Sequence, residues 1–408
     1  MTFSETVELH GHIIDSYALP QIMDEVMDRG GEFVIQDIHV GRRKDEPSYA
    51  RIQISAPNRE LLDLLLDRVQ RIGALPEDVE QVNLVPAPAD GVFPEGFYST
   101  TNLDTAVRLG GQWVHVDWPE MDCGIAVDES ARRAWTVALS DVAFGERLVV
   151  GHEGVRVTPL ERPRTQPQVF AFMGSSVSSE KPKMLLIHEI AQRLRDIRAR
   201  GGNVILVGGP VLVHTGTRDG VASLIRERYV NVLFAGNGLA THDVEMSLFG
   251  TSLGVSLSQG VPQEGGHEHH LRAINRVRRA GSIRAAVEQG LLTNGIMHAC
   301  VTAGATYILA GSIRDDGPLP DVVSDTLTAQ RLMRAEVRKG VDLVLVLSSM
   351  LHGIATGNLL SAAVTTVCVD INPAVVTKLA DRGSFQTIGL VMDVEGFVRE
   401  LCAELQIG

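Results

Sequence analysis

The chain has 408 residues, 44% hydrophobic and 21% charged, with 50 Asp and Glu against 37 Lys and Arg for a formal net charge of −13. This length predicts two or three domains, and the composition argues against wholesale disorder. The negative charge disfavours nucleic acid as a partner, because non-specific binding to phosphates depends on an excess of positive charge.

The cysteines and the hydropathy pattern point to a reducing compartment. The four cysteines lie far apart without a Cys-x-x-Cys pair, which fits neither a disulfide framework nor a zinc site. No signal-peptide pattern opens the sequence, and no apolar run approaches the ~18 residues that a membrane helix needs. We therefore expect a cytoplasmic protein without a membrane segment.

Residues 1–100 are predicted to form a small α+β domain. Its predicted elements in chain order are strand Thr6–Asp15, helix Leu19–Arg29, strands Glu32–Val40 and Ser48–Ser55, helix Glu60–Ile72 and strand Val79–Val85. The order β-α-β-β-α-β is that of a ferredoxin-like fold. This domain either contributes to a binding cleft or serves as a structural or regulatory module.

Residues 101–165 are predicted to form a small β-rich domain. Short segments in which apolar and polar residues alternate are separated by Gly-rich and Asp-containing turns. These predicted strands are Gln112–Asp117, Gly124–Val127, Arg133–Ala138 and Arg147–Val150.

Residues 166–408 are predicted to form an α/β domain with a doubly wound parallel sheet. Short strands that are apolar on both faces alternate with helical patterns, as in sheets covered by helices on both sides. The predicted strands are Asn203–Val207, Val230–Ala235, Tyr307–Ala310, Leu343–Leu347, Thr366–Val369 and Thr387–Val391. Ligands of such sheets bind at the carboxyl ends of the strands, so the residues that follow each strand are the candidates for function.

Two of these strand ends are rich in glycine. Gly208 and Gly209 follow the first strand and would let a phosphate approach backbone N–H groups, although a plain tight turn is an equal alternative. Asn237 and Gly238 follow the second strand, where the amide of Asn237 can bond a ribose or a nicotinamide, and again a simple turn is the alternative. Neither segment is a Gly-x-Gly-x-x-Gly dinucleotide fingerprint.

The strand ending at Ala310 is followed by a dense group of charges. Arg314, Asp315, Asp316 and Asp321 would complement an amino acid that carries two ammonium groups and one carboxylate. The alternative is a solvated acidic turn.

The strand ending at Leu347 is followed by hydroxyl groups and a histidine. Ser348 and Ser349, with the N–H groups of Met350 and Leu351, are candidates for binding a pyrophosphate, and His352 is a candidate proton carrier. A structural histidine is the alternative.

The last two strands end at a carboxylate and at Val391. Asp370 is placed to accept two ribose hydroxyls, as the acidic residue of a Rossmann site does, or to cap the next helix. Asn372 precedes a proline, which favours an extended backbone that aims its amide outward. We count Asn372 and Val391 among the candidate cofactor contacts.

A metal site is not expected, although two segments resemble one. His242, Asp243 and Glu245 are as consistent with a capped helix, and the run of histidines at 267, 269 and 270 lacks a cysteine or carboxylate cluster at ligand spacing. In the β-rich domain, Glu120 and Asp122 are candidates for contacting substrate from the neighbouring domain. Cys123 beside them has no evident activating base.

Five blocks of the sequence together resemble the archaeal-type ornithine cyclodeaminases, which share a domain named for the bifunctional lysine-ketoglutarate reductase/saccharopine dehydrogenase. The blocks are Glu120–Ile125, Ala235–Gly238, Ala310–Asp321, Met350–His352 and Cys368–Gly383. The resemblance covers essentially the whole chain. It implies a Rossmann-like domain of the deoxyhypusine synthase and sirtuin type, which binds NAD without the glycine fingerprint.

The resemblance also implies the reaction, which converts L-ornithine to L-proline and ammonia. NAD would take a hydride from Cα and return it to the ring after the δ-amine has displaced ammonia, so the sequence is redox-neutral and belongs to ornithine and proline metabolism. NAD would find ribose acceptors in Asp370 and Asn237 and phosphate donors in Ser348 and Ser349.

Ornithine would be held by charged groups under the same resemblance. Its amines would pair with Asp315, Asp316 and Asp122, and its carboxylate with Arg314 or Lys378. His352 or Asp316 would remove a proton from an ammonium group.

Two other functions remain open at this point. One alternative is an NAD-dependent amino acid dehydrogenase that releases NADH, and the other is a non-enzymatic sensor of an amino acid or nucleotide. A homo-oligomer that binds a small basic amino acid is expected in the enzymatic cases.

Overall fold

The structure, a computed structural model, describes residues 2–14, 17–43, 46–76, 80–158, 183–252, 255–256, 268–315, 317–381 and 387–408. The described residues form two compact units. The first comprises those up to residue 158 together with Leu360–Ala363, and the second comprises the remainder. The sequence-based domain limits 1–100, 101–165 and 166–408 stay predictions.

The first unit begins with a ferredoxin-like α+β layer, as predicted. Its elements are β1 (Phe3–Gly11), α1 (Ala18–Asp28), β2 (Glu32–His39), β3 (Ser48–Ala56), α2 (Arg59–Ile72) and β4 (Leu75–Pro76). The sheet has the order β2-β3-β1-β4 and is antiparallel. Asn58 caps α2 by accepting a hydrogen bond from the N–H of Leu61 at 2.8 Å, and the apolar faces of both helices contribute to one core with the strands.

The predicted closing strand Val79–Val85 was wrong. The fourth strand of this sheet is β4, whose Leu75 and Pro76 pair with β1 shortly after α2 ends at Ile72. The next strand, β5 (Asn83–Pro86), pairs instead with a strand of the second sheet. The apolar alternation identified a strand but carried no information about which sheet it joins.

The second sheet of this unit is the predicted β-rich region. Its further strands are β6 (Asp104–Leu109), β7 (Gln112–Asp117), β8 (Gly124–Asp128), β9 (Arg133–Val137), β10 (Arg147–Val150) and β11 (Val155–Thr158). They are arranged in the order β11-β6-β7-β9-β8-β10-β5, and a short 3-10 helix covers Leu139–Asp141. Gly110 and Gly111 both have positive φ, which the tight turn from β6 to β7 requires.

The second unit is built around a parallel sheet. Its strands are β12 (Val204–Gly208), β13 (Val232–Gly236), β16 (Thr306–Ala310), β17 (Val322–Val323), β18 (Leu343–Leu347), β19 (Thr365–Asp370) and β20 (Thr387–Val391), and a separate small hairpin consists of β14 (Thr251–Ser252) and β15 (Val255–Ser256). The sheet order is β17-β16-β13-β12-β18-β19-β20, and every pairing within it is parallel. Without the edge strand β17 this is the Rossmann order 3-2-1-4-5-6.

Helices connect these strands. They are α3 (Lys183–Ala199), α4 (Val211–His214), α5 (Arg218–Arg226), α6 (Asn237–Phe249), α7 (His269–Ala280), α8 (Ile283–Glu288), α9 (Ile296–Ala303), α10 (Thr326–Val337), α11 (Met350–Leu359), α12 (Pro373–Asp381) and α13 (Val394–Leu405). All residues of β12 and β18 are buried, which explains why their sequences are apolar on both faces. The predicted α/β, doubly wound fold of this region is confirmed.

Two helices begin where the sequence suggested loops. The helix α6 starts directly after β13, so Asn237 and Gly238 lie in its first turn. The helix α11 starts at Met350, so its first turn contains Met350, Leu351 and His352, whereas Ser348 and Ser349 precede it. The four cysteines are buried, and none of them forms a disulfide. Over the part of the chain that the structure describes, no helix combines the length and apolar character required to cross a membrane.

Candidate active site

The order of the parallel sheet reverses between β12 and β18, and the backbone is tightly packed there. The N–H of Gly209 donates a hydrogen bond to the carbonyl of Leu347 at 3.1 Å. A β-carbon on Gly209 would lie 1.9 Å from the carbonyl oxygen of Ser348, so only glycine fits. The crevice at such a reversal is where doubly wound sheets bind ligands, and Gly209 lies at its edge.

The segment after β18 approaches the same crevice. Ser348 has φ 48°, a left-handed conformation that is unusual for a residue with a side chain. Its N–H donates to the carbonyl of Val369 at 3.0 Å, and Ser349 accepts from the N–H of Gly353 at 3.3 Å. Both serines are half-buried at the N-terminus of the ten-residue helix α11, where N–H groups and the helix dipole favour an anion.

On one side of this crevice, the ends of β13 and β16 are joined through side chains. Asn237, the first residue of α6, donates from Nδ2 to Oδ1 of Asp315 at 3.2 Å. Its amide oxygen accepts hydrogen bonds from the N–H of Leu319 and the hydroxyl of Thr241, each at 3.1 Å. The second carboxylate oxygen of Asp315 accepts from the N–H of Ser312 at 2.9 Å. Asp315 is therefore held on both oxygens.

His352 reaches this same group of residues from α11. A β-carbon placed on Gly236 would lie 3.2 Å from Cε1 of the His352 ring and 4.0 Å from its Nε2. Burial lowers the pKa of His352 below its ordinary value, because the protein interior disfavours the charged imidazolium. Gly236 precedes Asn237, so the ring of His352 and the carboxylate of Asp315 are both within reach of one strand end.

On the other side of the crevice, β19 ends in a locally built turn. Oδ1 of Asp370 accepts the N–H of Asn372 at 2.8 Å. The side chain of Asn372 in turn accepts the N–H of Ala374 at 3.0 Å in the first turn of α12. Asn372, rather than Asp370, thus takes the capping role that the sequence left open for Asp370.

Exposed apolar side chains surround these strand ends. Large apolar side chains are rarely exposed in one region unless something covers them. The exposed residues that follow β12, β16, β18 and β19 are Val211, Ile313, Met350, Leu351 and Ile371. Together with the close backbone approach at Gly209, they fit a flat, partly apolar ligand that bears a phosphate.

Among the residues that the structure describes, the remaining candidates of the second unit form no hydrogen bond or ion pair with Asn237, Asp315 or His352. Lys378 is exposed in the last turn of α12, five residues and about 7.5 Å along the helix axis from Pro373. The carbonyl of Val391 accepts a hydrogen bond from Nζ of Lys183 at 2.9 Å. Arg314 is exposed beside Asp315. Asp316 lies outside the described residues.

The flanking glycines Gly208 and Gly238 lie at the ends of β12 and β13. A β-carbon on Gly208 would meet the side chains of Leu212 and Leu239 at 2.9 Å, so its small size serves packing. A β-carbon on Gly238 would lie 3.9 Å from Pro210, which is ordinary contact. The strand-end position is therefore consistent with a cofactor contact at either glycine, and the role stays a prediction.

Glu120 and Asp122 belong to the first unit, in the segment between β7 and β8. The hydroxyl of Thr100 donates to the carbonyl of Glu120 at 2.6 Å and accepts the N–H of Cys123 at 3.0 Å. Asp122 has φ 60° and an exposed side chain, whereas Glu120 is buried. A left-handed residue held by its neighbours is a feature of functional loops as well as of tight turns, so a role in substrate binding stays a prediction for both residues.

The segment with His242, Asp243 and Glu245 proves to be the interior of α6. Asp243 accepts Nε of Arg218 at 2.6 Å and the N–H groups of Ile296 and Met297 at 2.9 and 2.8 Å. It therefore caps α9, a different helix. No local sequence signal predicts this, because the partners lie 25 to 54 positions away.

Glu245 is fully buried and bonded as well. It accepts the hydroxyl of Thr251 at 2.9 Å and lies 3.0 Å from Nδ1 of His242, while His269 bonds Thr251 at 2.8 Å. Within the described ranges, no three His, Cys, Asp or Glu side chains are grouped so that they could hold a metal. His267 lies outside those ranges.

Sequence reasoning overlooked Thr241. It lies four residues after Asn237, and the two side chains face each other only if the segment is helical. The glycines at 236 and 238 concealed this helix, so the i, i+4 relation was not recognised.

Three family models together match most of the chain. The Rossmann-fold region described as arginine dihydrolase ArgZ-like, C-terminal, matches residues 188–401. The first region of the same ArgZ-like C-terminal part matches residues 104–187, and the LOR/SDH bifunctional enzyme conserved region matches residues 4–103.

Named relatives and solved structures agree with these models. The ornithine cyclodeaminase of Methanothermobacter thermautotrophicus is 51% identical over 400 residues, which cover 98% of this chain and 97% of the relative. The apo structure of ArgZ, an arginine dihydrolase from the ornithine-ammonia cycle in cyanobacteria, matches with a TM-score of 0.85 at 38% identity, over 99% of this chain and 58% of that one. The ternary complex of AgrE with ornithine and NAD+ matches with a TM-score of 0.54 at 40% identity and the same two coverages. The chain thus spans a little more than half the length of these two solved chains.

Proposed function

The chain belongs to the ornithine cyclodeaminase family, and from this premise we propose how its residues serve the NAD-dependent conversion of L-ornithine to L-proline and ammonia. The observation that carries the proposal is that His352 lies against Gly236 and Asp315 bonds the next residue, Asn237, near the reversal of the sheet order. Bound NAD supplies the chemistry of accepting a hydride from Cα of ornithine and returning it.

The sheet order supports one direction for the dinucleotide. The strands that carry the candidates are neighbours in the order β16, β13, β12, β18, β19, so the row covers four strand spacings, about 19 Å. The pyrophosphate belongs in the middle, against the N–H groups near Gly209 and the N-terminus of α11 with Ser348 and Ser349. A nucleotide ribose then lies at β19 and the nicotinamide at β13 and β16.

Asp370 is the proposed ribose acceptor. Its Oδ1 accepts the N–H of Asn372, which leaves Oδ2 as the proposed acceptor for the ribose hydroxyls. Because the side-chain oxygen of Asn372 caps α12, we propose that Asn372 contributes through its backbone and its Nδ2 group.

Asp315 and His352 are the proposed reacting groups. Asp315 pairs with an ammonium group of ornithine, and Arg314 beside it with the carboxylate. The α-ammonium first gives one proton to Asp315, because only the free α-amine can become an iminium group when Cα loses a hydride. The neutral imidazole of His352 takes a proton from the δ-ammonium, which frees that amine to attack Cα of the iminium group. A proton then shifts from the ring nitrogen to the α-nitrogen, the bond from Cα to the α-nitrogen breaks, and the imidazolium returns its proton to the leaving ammonia as ammonium. Return of the hydride to Cα of the cyclic iminium and of the proton held by Asp315 to the ring nitrogen completes proline.

The compartment and the assembly are part of the proposal. Four buried cysteines that form no disulfide suit a reducing cytoplasm. We expect a homo-oligomer, which size-exclusion chromatography with light scattering measures directly.

The proposal is tested by nucleotide analysis followed by turnover. Mass spectrometry of the purified protein should reveal NAD, and added ornithine should yield equal amounts of proline and ammonia without accumulation of NADH. Steady accumulation of NADH would indicate a dehydrogenase instead. Failure to consume ornithine or another basic amino acid in the presence of NAD would indicate a sensor.

Deuterium at Cα sharpens this test. If the hydride that leaves Cα returns to the same carbon, proline formed from Cα-deuterated ornithine keeps the label. Loss of the label to solvent would contradict the redox cycle.

A further inference from the structure

Thr241 occupies a position in α6 where an apolar side chain would serve packing better. It is 4% exposed and lies in the helix interior, where threonine is a poorer helix former than alanine or leucine. A threonine hydroxyl in a helix commonly bonds the carbonyl four residues earlier. Here it donates instead to the side-chain oxygen of the residue four positions earlier, Asn237, at 3.1 Å.

The contacts of Asn237 show why the direction of its amide matters. Two donors, the hydroxyl of Thr241 and the N–H of Leu319, face one end of the amide, and the carboxylate of Asp315 faces the other. Only one orientation satisfies all three, with the oxygen toward the donors and the NH2 group toward the carboxylate. The reversed amide would set its oxygen against the carboxylate and its NH2 group against an N–H.

Asp315 depends on this orientation. Its Oδ2 is held within its own loop by the N–H of Ser312 at 2.9 Å, whereas Oδ1 is held only through Asn237 among the described residues. Without the amide NH2 group, the carboxylate can rotate about its remaining hydrogen bond. A substrate ammonium would then meet a carboxylate that is no longer fixed.

We propose that Thr241 is a positioning residue for ornithine turnover: its hydroxyl locks the amide of Asn237 so that the NH2 group aims Asp315 at the substrate. This inference rests on the proposed function, since it takes Asp315 as the substrate-binding carboxylate. Thr241 itself is buried, so in this proposal its hydroxyl acts through Asn237 and not on the substrate directly.

The test compares Thr241→Val with Thr241→Ser. Valine keeps the shape of threonine and removes only the hydroxyl, so kcat for ornithine should fall ~5- to 10-fold, the effect of one net hydrogen bond. NAD affinity should change less than twofold. Serine keeps the hydroxyl and should restore kcat to within twofold of the unaltered protein.

Two further variants serve as controls for the positioning role of Thr241. Asn237→Asp keeps the shape of the amide but presents an oxygen to Asp315, so it should reduce kcat more than Thr241→Val does. Thr302→Val removes a hydroxyl that bonds the carbonyl of His298 on the exposed side of α9, and it should leave kcat unchanged. Unchanged kcat in Thr241→Val, or an equal loss in Thr241→Ser, would overturn the positioning role.

A crystal structure of Thr241→Val separates the two proposals. If the unaltered protein forms no proline, the proposed function fails, yet the structure still tests the positioning role. We expect the carboxylate of Asp315 to leave hydrogen-bond distance of Asn237 in the valine variant. A carboxylate that stays in place would overturn the role of Thr241 whether or not the protein is active.

Discussion

The carboxyl ends of the parallel strands form one edge of the sheet, which has two halves on either side of the reversal: the ends of β13 and β16, and the end of β19. Each half of this edge presents a carboxylate, and each half holds its carboxylate in a different way. Asp370 is set by its own turn, through the N–H of Asn372 two residues later. Asp315 is set in part by Asn237, which lies 78 positions earlier in the chain on another strand end. A carboxylate fixed by its own turn suits recognition of a cofactor. One that is held between two strand ends suits a reaction whose groups must keep their geometry.

The largest expected effect comes from Asp315. Asp315→Asn keeps the shape but removes the charge that pairs with the substrate ammonium, so kcat/KM for ornithine should fall by at least about 100-fold. NAD affinity, measured by calorimetry, should stay within twofold. Asp219→Asn, which alters an 88% exposed carboxylate of the same unit, is the control and should be fully active. Full activity of Asp315→Asn would remove this residue from the reaction.

His352→Gln should lower kcat by about 10- to 100-fold because the proton carrier is lost. The pKa of His352 is lowered by burial, so the imidazole is neutral at pH 7 and protonated only at a pH below the ordinary value of 6.5. The activity of the unaltered protein should therefore decline on the acid side, and this limb should be missing in the variant. A limb that persists in His352→Gln would assign it to another group.

The same lowered pKa links His352 to stability. Below pH 6.5 the unfolded chain binds a proton at this histidine before the folded chain does, so the free energy of unfolding should fall as the pH is lowered toward the folded pKa. His214, whose pKa is also lowered by burial, contributes in the same direction. Denaturant titrations at pH 7.5 and 5.5 should show a smaller loss for His352→Gln than for the unaltered protein. Equal losses would mean that His352 is not kept neutral by the fold.

Replacement of Asp370, at the end of β19, should affect NAD binding. Asp370→Ala should weaken NAD binding by about 1–3 kcal/mol, since ribose hydroxyls lose their acceptor, while kcat at saturating NAD stays near normal. Asp370→Asn retains an acceptor for the N–H of Asn372, so NAD binding should be weakened less than in Asp370→Ala. If neither variant changes NAD affinity, the ribose assignment is wrong.

The smallest effect is expected from chelation. No metal is assigned to either half of the edge, so dialysis against EDTA should leave proline formation unchanged. Loss of activity that added zinc restores would bring His269 and its neighbours back as candidate ligands.

Most of the second unit could be predicted because its strands are buried on both faces and therefore continuously apolar. The candidates after β12, β13, β16, β18 and β19 followed from the rule that ligands bind at strand ends. The Rossmann order of the sheet was not visible, because pairing between strands such as β12 and β18 joins residues about 140 positions apart.

What failed to be predicted depends on contacts between distant segments. The strand Asn83–Pro86 has the right alternation, but only its partner β10 decides which sheet it joins. Asp243 resembled a ligand or a local cap, and only Arg218 and α9 reveal its role. The helix α6 was not predicted because Gly236 and Gly238 have a low helix propensity. In the folded protein, packing of the helix outweighs this low propensity.

A crystal structure with NAD tests the central claim most directly. The account predicts the pyrophosphate between the ends of β12 and β18 near Gly209 and Ser348, the nicotinamide within reach of Asp315 and His352, and a ribose at Asp370. A dinucleotide bound away from this edge, with these residues untouched, would contradict it.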